Sequence, residues 1–446
     1  MTAAVEPSRA GAAGAAAEEA VARAASYAAA PLDDLARCAA LRRAAELLLE
    51  RGEQIAQVVS REVRKPIALA RGEVERCAEV IALTVSEWET LRGEVVPAHA
   101  SAAGAGHVVL ARRHPLGVVC AITPFNFPVG LLIHKLAPAL AAGNACVVKP
   151  SERAPESVAA LVAALLDAGF PDAAVPVVSG GPEAVEALLA EPAIGLYSFT
   201  GSVPVGERIR AASGLRPVVL ELGSNAATIV HHDADLARAA RSLAQGAYAY
   251  AGQACQSVQR IVVHERVHDE LVERLLAAIA ALPVGDPADE RVVVGPMIDE
   301  AAAERVAGVI DDARAGGATL LCGGRRDGAL LEPALLDGVP RDCALWREEA
   351  FGPVAGVVTY DELAQGFALA NDSRYGLQTG IFTSATDVAL AALDALRAGA
   401  VLVNEGSHWR CTPMPFGGVG ASGIGREGPR YAIEAMTSLR TAVLAR

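Results

Sequence analysis

Apolar residues recur at i, i+3, i+4 and i+7 through DDLARCAALRRAAELLLERGEQIAQVVS, residues 33–60, and this spacing predicts an amphipathic helix. Residues 71–92 predict another. The period then shortens. Apolar runs bounded by turn residues, at 107–122, 145–150, 174–180, 195–201, 216–223 and 259–265, predict strands. Helical stretches at 156–169 and 182–190 fall between several of them. Strand, helix, strand at this spacing builds a parallel sheet with helices on its faces, because parallel neighbours need a crossover. A second helix-and-strand set is expected over 266–403, and the glycine-richer tail, 404–446, predicts loops and short elements. The Ala-rich first ~30 residues are the one low-complexity stretch in this reading.

A chain of 446 residues implies two or three domains, since single cores stop growing near ~250–300 residues. With 52% apolar residues it can bury sizeable cores. Its richest apolar stretch, 120–148, is interrupted by Asn126, His134, Lys135 and Asn144, so no membrane span is expected. Glu6, Arg9, Glu18, Glu19 and Arg23 cross the place where a secretion signal would need an apolar core, and a cytoplasmic location is the expectation. A formal charge of −13 without a basic stripe argues against nucleic acid and anionic membranes as partners. It leaves room for a local cationic pocket. The eight cysteines are scattered with no C-x-x-C pair, and no H-E-x-x-H is present, so neither a metal site nor a disulfide framework is expected. His231-His232, just after a strand-like run, is expected in a solvated loop.

Candidate chemistry gathers at strand ends. VVKPSE (147–152) places Lys149 and Glu152 just past a strand, where ligands bind in parallel sheets and such a pair can grip ribose hydroxyls. An exposed ion pair at a helix start fits that motif equally well. FTGSVPVGERI (199–209) sets Gly201, Ser202 and Gly206 between strand and helix, a place where backbone N–H groups favour phosphate, although an ordinary turn has the same look. VVLELG drives Glu221 into the end of an apolar strand, where it either reaches solvent or carries the raised pKa that a general base needs. Asn126, in PFNFP, is either a turn former or an amide donor for a developing oxyanion. AYAGQACQSV (248–257) surrounds Cys255 with small, uncharged residues. Thiol, carboxylate and amide beside a nucleotide-type α/β half describe covalent catalysis at a carbonyl with a dinucleotide alongside.

In this order the motifs PFNFP, KPSE, FTGS, LELG, GQAC, EEAFGPV (348–354), NDSRYGL (371–377) and PFGG resemble the NAD(P)-dependent aldehyde dehydrogenases, from REVRKP at 61–66 to FGGVGASGIGREG at 416–428. The resemblance implies Cys255 as nucleophile, Glu221 as general base and Asn126 as oxyanion donor together with the Cys255 backbone N–H. It implies Lys149 and Glu152 at the adenosine ribose, Gly201, Ser202 and Gly206 at the pyrophosphate turn, and Glu349 and Phe351 at the nicotinamide ribose. Thr123, Pro124 and Phe125 would line the cofactor cleft, and Gly223 would approach the nicotinamide. The implied cofactor is NAD, with NADP also accepted by some relatives; a carboxylate at Glu152 repels a 2′-phosphate.

The implied architecture is α/β: a Rossmann-type parallel-sheet cofactor domain (1–97 and 117–222), an α/β catalytic domain (223–403) and a small oligomerisation arm (98–116 and 404–446) that joins a homodimer or homotetramer. The reaction implied is oxidation of a small aldehyde to its acid through a thioester released by water. GSN (223–225) stands where the family pattern has Gly-Gly-Lys, so Ser224 adds a side chain and a basic residue is missing. The motifs look closest to the lactaldehyde and phosphonoacetaldehyde dehydrogenase branch, whose substrates are polar or anionic. Arg410, in SHWRCTP (407–413), either pairs with a negative group on the substrate or makes a surface contact between subunits. Ala254 and Phe127, uncharged beside the catalytic residues, weigh against an anionic substrate. A cysteine hydrolase and a non-catalytic protein on the same fold are the rival classes; the first lacks a recognisable His partner motif, and the second has no need of the three reactive groups.

Overall fold

The computed structural model describes residues 9–445. Three sheets organise it. The first carries parallel strands Ala145–Lys149, Val118–Ile122, Ile194–Thr200 and Val218–Glu221 in that spatial order, closed at one edge by the short antiparallel strand Gly423–Ile424 from the tail. From 118–122 the chain steps outward to 145–149 and then returns to 194–200 on the other side. Strand order therefore reverses beside 118–122, the place where open parallel sheets bind ligands at their carboxyl ends.

The second sheet has seven strands in the order Ala400–Val403, Gln378–Phe382, Ala227–Val230, Arg260–His264, Val354–Tyr360, Ala334–Asp337 and Thr319–Cys322, all parallel neighbours except the last. Each of these sheets has its own apolar core, built around Val119, Leu132 and Leu196 in one case and Val262, Leu335 and Trp346 in the other. A third, antiparallel sheet pairs Gly93–Val96, His107–Pro115 and Thr437–Ala445. Residues 404–436 lie outside it: they add the 423–424 strand to the first sheet and pack helix Pro429–Ala435 against helices Ile67–Thr90 and Gly130–Ala141. Only the last strand of the tail belongs to the arm sheet, because Gly428 (φ 110°) turns the chain into that helix first. No helix among the described residues is long and apolar enough to cross a membrane.

Local structure departs from the sequence pattern at four places. The helix expected over 33–60 is two, Asp34–Glu50 and Gly52–Val63, broken at Arg51. The run 107–122 is two strands in different sheets, separated where Gly117 takes φ 103°. No strand forms at 174–180: Pro176 has no N–H to give, and the segment makes only the bridge Val148–Val177. The Ala-rich N-terminus forms helix Arg9–Ala29, whose Ala17, Val21 and Ala24 are buried. Alanine is the strongest helix former, and so small a side chain lets a helix lie close to its neighbours.

The turn before Cys255 is the most constrained piece of backbone. Tyr250 (φ 54°), Ala251 (φ 52°) and Gly252 (φ 66°) are left-handed in succession. Such a conformation costs about 1–3 kcal/mol at a non-glycine residue and persists only when its surroundings fix it. Here Tyr250 is buried, its hydroxyl donates to the Val63 carbonyl (2.9 Å), and its N–H donates to the Val293 carbonyl (2.9 Å). At Gly252 a Cβ would stand 2.1 Å from the Gly352 carbonyl oxygen. Gly252→Ala is therefore expected to cost about 3 kcal/mol or more, read as a lower urea midpoint at unchanged slope; a midpoint equal to that of the unaltered protein would count against this account.

Candidate active site

A cavity of about 530 Å³ opens at the carboxyl ends of the five-stranded sheet, and Asn126, Glu221, Cys255, Glu349, Phe351 and Arg410 all line it. Cys255 leaves the left-handed turn and is partly exposed. Burial pushes its thiol up to about 12, the carboxyls of Glu349 and Glu221 push the same way, and Arg410 opposes them. No helix begins at Cys255, so no helix dipole assists its ionisation. Asn126 is 4% exposed and donates from Nδ2 to the Gln253 carbonyl at 2.9 Å, which ties its amide to the backbone two residues before the thiol. That nitrogen carries two hydrogens, and one remains.

Glu221 ends its strand opposite Thr200 on one side and Gly423 on the other. It is 2% exposed, and both carboxyl oxygens are buried without a hydrogen-bond partner. Burial first, and the Glu427 carboxyl second, hold its pKa well above the usual carboxylate range, against the pull of Lys135, Arg410 and Arg426. Of the two readings of a strand-end glutamate, solvent contact or a raised pKa, the structure has the second.

Beneath it lies an ion pair of which the sequence showed only Lys135, as an interruption of an apolar stretch. Lys135 and Glu427 are both buried and bridged to each other, and Lys135 also donates to Thr200 Oγ1 at 2.8 Å. Arg410 stands 4.0 Å from Glu427, stacks its guanidinium 4.0 Å above the Phe416 ring, and donates to His134 Nε2 at 3.3 Å. Burial, then the Arg410 charge, keeps His134 neutral by holding its pKa well below the usual value. Arg410 is thus a partly buried wall of the cavity, its side chain 16% exposed. Phe127 and Ala254 also line the cavity, and the Lys65 ammonium, paired with Glu73, sits 3.5 Å over the Phe127 ring.

The candidate cofactor residues divide. Pro124, Phe125, Gly201, Ser202, Gly223, Glu349 and Phe351 line the same cavity as Cys255, while Thr123, Lys149, Glu152 and Gly206 stand outside it. Lys149 is buried at its strand end; burial lowers its pKa while Glu152 and Glu183 pull it back up. Glu183, which accepts the Gly181 N–H at 2.9 Å, was not singled out from the sequence. Gly206 packs its helix on the strand end: a Cβ there would stand 2.5 Å from the Leu222 side chain.

Three observations fit a dinucleotide in this cleft. The Thr123 hydroxyl is buried with no partner. Gly201 and Ser202 lead directly into helix Val203–Ser213, an N-terminus suited to phosphate. Glu349, raised to about 7 by burial, accepts the Ser224 N–H at 3.0 Å, and its Oε2 lies 2.7 Å from where a Cβ on Gly223 would be. Phe351 holds φ 47° and meets Phe125 edge to face at 6.1 Å. The GSN departure is absorbed locally. Ser224 fixes Glu349 through its backbone, and Asn225 donates to the Trp346 carbonyl at 2.8 Å and accepts from the Ser373 hydroxyl at 2.6 Å.

Comparison with known proteins agrees with this geometry. The model of the aldehyde dehydrogenase family matches residues 2–442. A 3-sulfolactaldehyde dehydrogenase of Priestia aryabhattai is 44% identical over 405 residues, 91% of this chain and 85% of that protein. A lactaldehyde dehydrogenase of Methanocaldococcus jannaschii is 38% identical over 407 residues, 90% of this chain and 86% of that one. The crystal structure of an NADP-dependent glyceraldehyde-3-phosphate dehydrogenase from Bacillus halodurans, complexed with NADP, superposes with a TM-score of 0.94 at 38% identity, covering 97% of this chain and 91% of that one. The chain belongs to the aldehyde dehydrogenase family and is an NAD(P)-dependent oxidoreductase of aldehydes.

Proposed function

We propose that Cys255, Asn126 and Glu221 carry out this oxidation, and that the substrate is a small polar aldehyde whose far end is negatively charged. The observation that supports the first part is their convergence on one cavity, with Glu221 buried and its oxygens unpartnered. Cys255 Sγ, as thiolate, adds to the carbonyl carbon, and the oxyanion of the resulting thiohemiacetal accepts hydrogen bonds from Asn126 Nδ2 and the Cys255 N–H. The nicotinamide, when bound, accepts the hydride. Collapse of the oxyanion leaves a thioester on Cys255. Glu221 then takes a proton from water, the hydroxide equivalent attacks the acyl carbon, and the carboxylic acid leaves with Cys255 regenerated.

Lys149 and Glu152 would hold the adenosine ribose, with Thr123 beside them, Gly201 and Ser202 the pyrophosphate, and Glu349 the nicotinamide ribose. Gly206 serves that turn through helix packing. With Glu152 and Glu183 both facing Lys149, a 2′-phosphate meets two carboxylates, and NAD is the preferred cofactor. The five-stranded sheet forms the cofactor domain, the seven-stranded sheet the catalytic domain and the antiparallel sheet an arm. Strand Thr437–Ala445 is an unpaired edge with Leu439, Val443 and Leu444 exposed, which favours sheet extension between copies of the chain into a dimer or tetramer.

The observation that supports an anionic substrate is Arg410, a partly buried cation on the cavity wall that His134 faces as a neutral ring. Sulfonate, phosphonate and carboxylate all satisfy that geometry.

Mixing enzyme and NAD with an aldehyde and following the reduced cofactor tests the catalytic assignment. Cys255→Ala is expected to abolish reduction, whereas Glu221→Gln keeps a first burst equal to the active sites and slows later turnover about 10²–10⁴-fold. Loss of the burst in Glu221→Gln would remove it from the deacylation step. In a panel of lactaldehyde, succinic semialdehyde, phosphonoacetaldehyde and propionaldehyde, Arg410→Ala is expected to lower kcat/KM roughly 10–100-fold more for the anionic members than for propionaldehyde; an equal loss for propionaldehyde would defeat the charge-reading role. Because Glu349 ionises near 7, its acceptor strength toward a ribose hydroxyl rises with pH through that value. NAD binding is therefore expected to tighten from pH 6 to 8, and a flat profile in Glu349→Gln checks the source.

A further inference from the structure

The seven-stranded sheet has a polar cluster at the end away from the cavity. Strand Ala227–Val230 starts beside Ser224 and Asn225 and ends at His231, His232 and Asp233. One ligand atom from each of these three lies within 4.8 Å of the other two. The loop is not simply solvated, as the sequence suggested: His231 is 7% exposed, Asp233 is half-buried, and only His232 is open. The two neighbouring rings stand 4.2 Å apart between centroids, with His264 forming a wall 5.0 Å from His232.

Two of the three groups are held from behind. His231 Nδ1 shares a hydrogen bond with the Tyr360 hydroxyl at 2.8 Å, which leaves Nε2 as its open nitrogen. The Asp233 carboxylate accepts from the Thr383 hydroxyl (2.8 Å), the Ser384 hydroxyl (2.8 Å) and the Ser384 N–H (3.1 Å). Hydrogen bonds of this kind on the far side of a ligand orient it toward a metal. His264 is not a third imidazole ligand, since its Nδ1 accepts the Arg266 N–H at 3.2 Å and its Nε2 keeps the proton.

We propose that His231, His232 and Asp233 form a site for one divalent transition-metal ion, with water completing the shell. Two imidazoles and a carboxylate suit zinc, cobalt, nickel or copper rather than calcium or magnesium. Metal bonds of about 2.0–2.2 Å require the three groups to draw together, and rotation of the exposed His232 supplies that movement. Because Asp233 also holds Thr383 and Ser384, a bound ion would clamp the ends of strands Ala227–Val230 and Gln378–Phe382 to each other. The sequence offered no spacing motif because the ligands are consecutive and their supports come from 129 to 151 positions away, at Tyr360, Thr383 and Ser384.

Cobalt(II) titrated into the full chain after EDTA treatment, followed by calorimetry and absorption, tests this. One ion per chain is expected, with ligand-field bands, no thiolate charge-transfer band and a raised melting temperature. His232→Ala, at an exposed position, is expected to melt like the unaltered protein in EDTA, to oxidise aldehyde at the same rate, and to bind cobalt roughly tenfold or more weakly. Absence of binding, a thiolate band, or undiminished affinity in His232→Ala would each overturn the proposal.

Discussion

Lys135 and Glu427 are fully enclosed, and neither tolerates enclosure alone. Removing one partner of a buried pair leaves an unpaired charge and typically costs about 3–5 kcal/mol, so helix Gly130–Ala141 and the tail are bound to each other's presence. The pair draws residues 410–427 over the open edge of the five-stranded sheet, where Gly423 adds to the strand of Glu221 and Phe416 carries the Arg410 guanidinium. It also sets the local charge: Glu427 raises Glu221 while Lys135 lowers it.

The electrostatic result is a site at rest. Burial and neighbouring carboxyls push the pKa values of the Cys255 thiol and the Glu221 carboxyl upward. Arg410 favours ionisation of both. On the proposed assignment one arginine therefore has two roles that pull in different directions: it helps the nucleophile ionise and it neutralises an anion. An anionic substrate end that takes up the Arg410 charge removes part of that help, so substrate recognition and thiol activation are coupled through a single guanidinium.

Much of this was legible where chemistry is local. Asn126, Gly201 and Glu221 follow or end strands whose apolar runs are plain in the sequence, and Cys255 is marked by the small residues around it. What was hidden depends on distant pairing. Nothing near Lys135 shows that its counter-ion is Glu427, and nothing in SHWRCTP shows that Arg410 turns inward onto Phe416. The split of 107–122 was hidden because each half begins with an apolar run, although Arg112, Arg113 and His114 lie between the runs and Gly117 turns the backbone. Helix Arg9–Ala29 was passed over because alanine contrasts too little with its neighbours to display a face.

Distance along the chain is also distance in time. Lys135 and Glu427 are separated by 292 positions, which at ~5–20 residues per second is about 15–60 s of translation. Throughout that interval Lys135 lacks the counter-ion it is buried with, and helix Gly130–Ala141 lacks the tail helix that packs on it. The reactive thiol emerges well before the arginine and carboxylate that tune it. On the ribosome the nascent chain is a scaffold with an unguarded cysteine, and the late-arriving tail turns it into an enzyme.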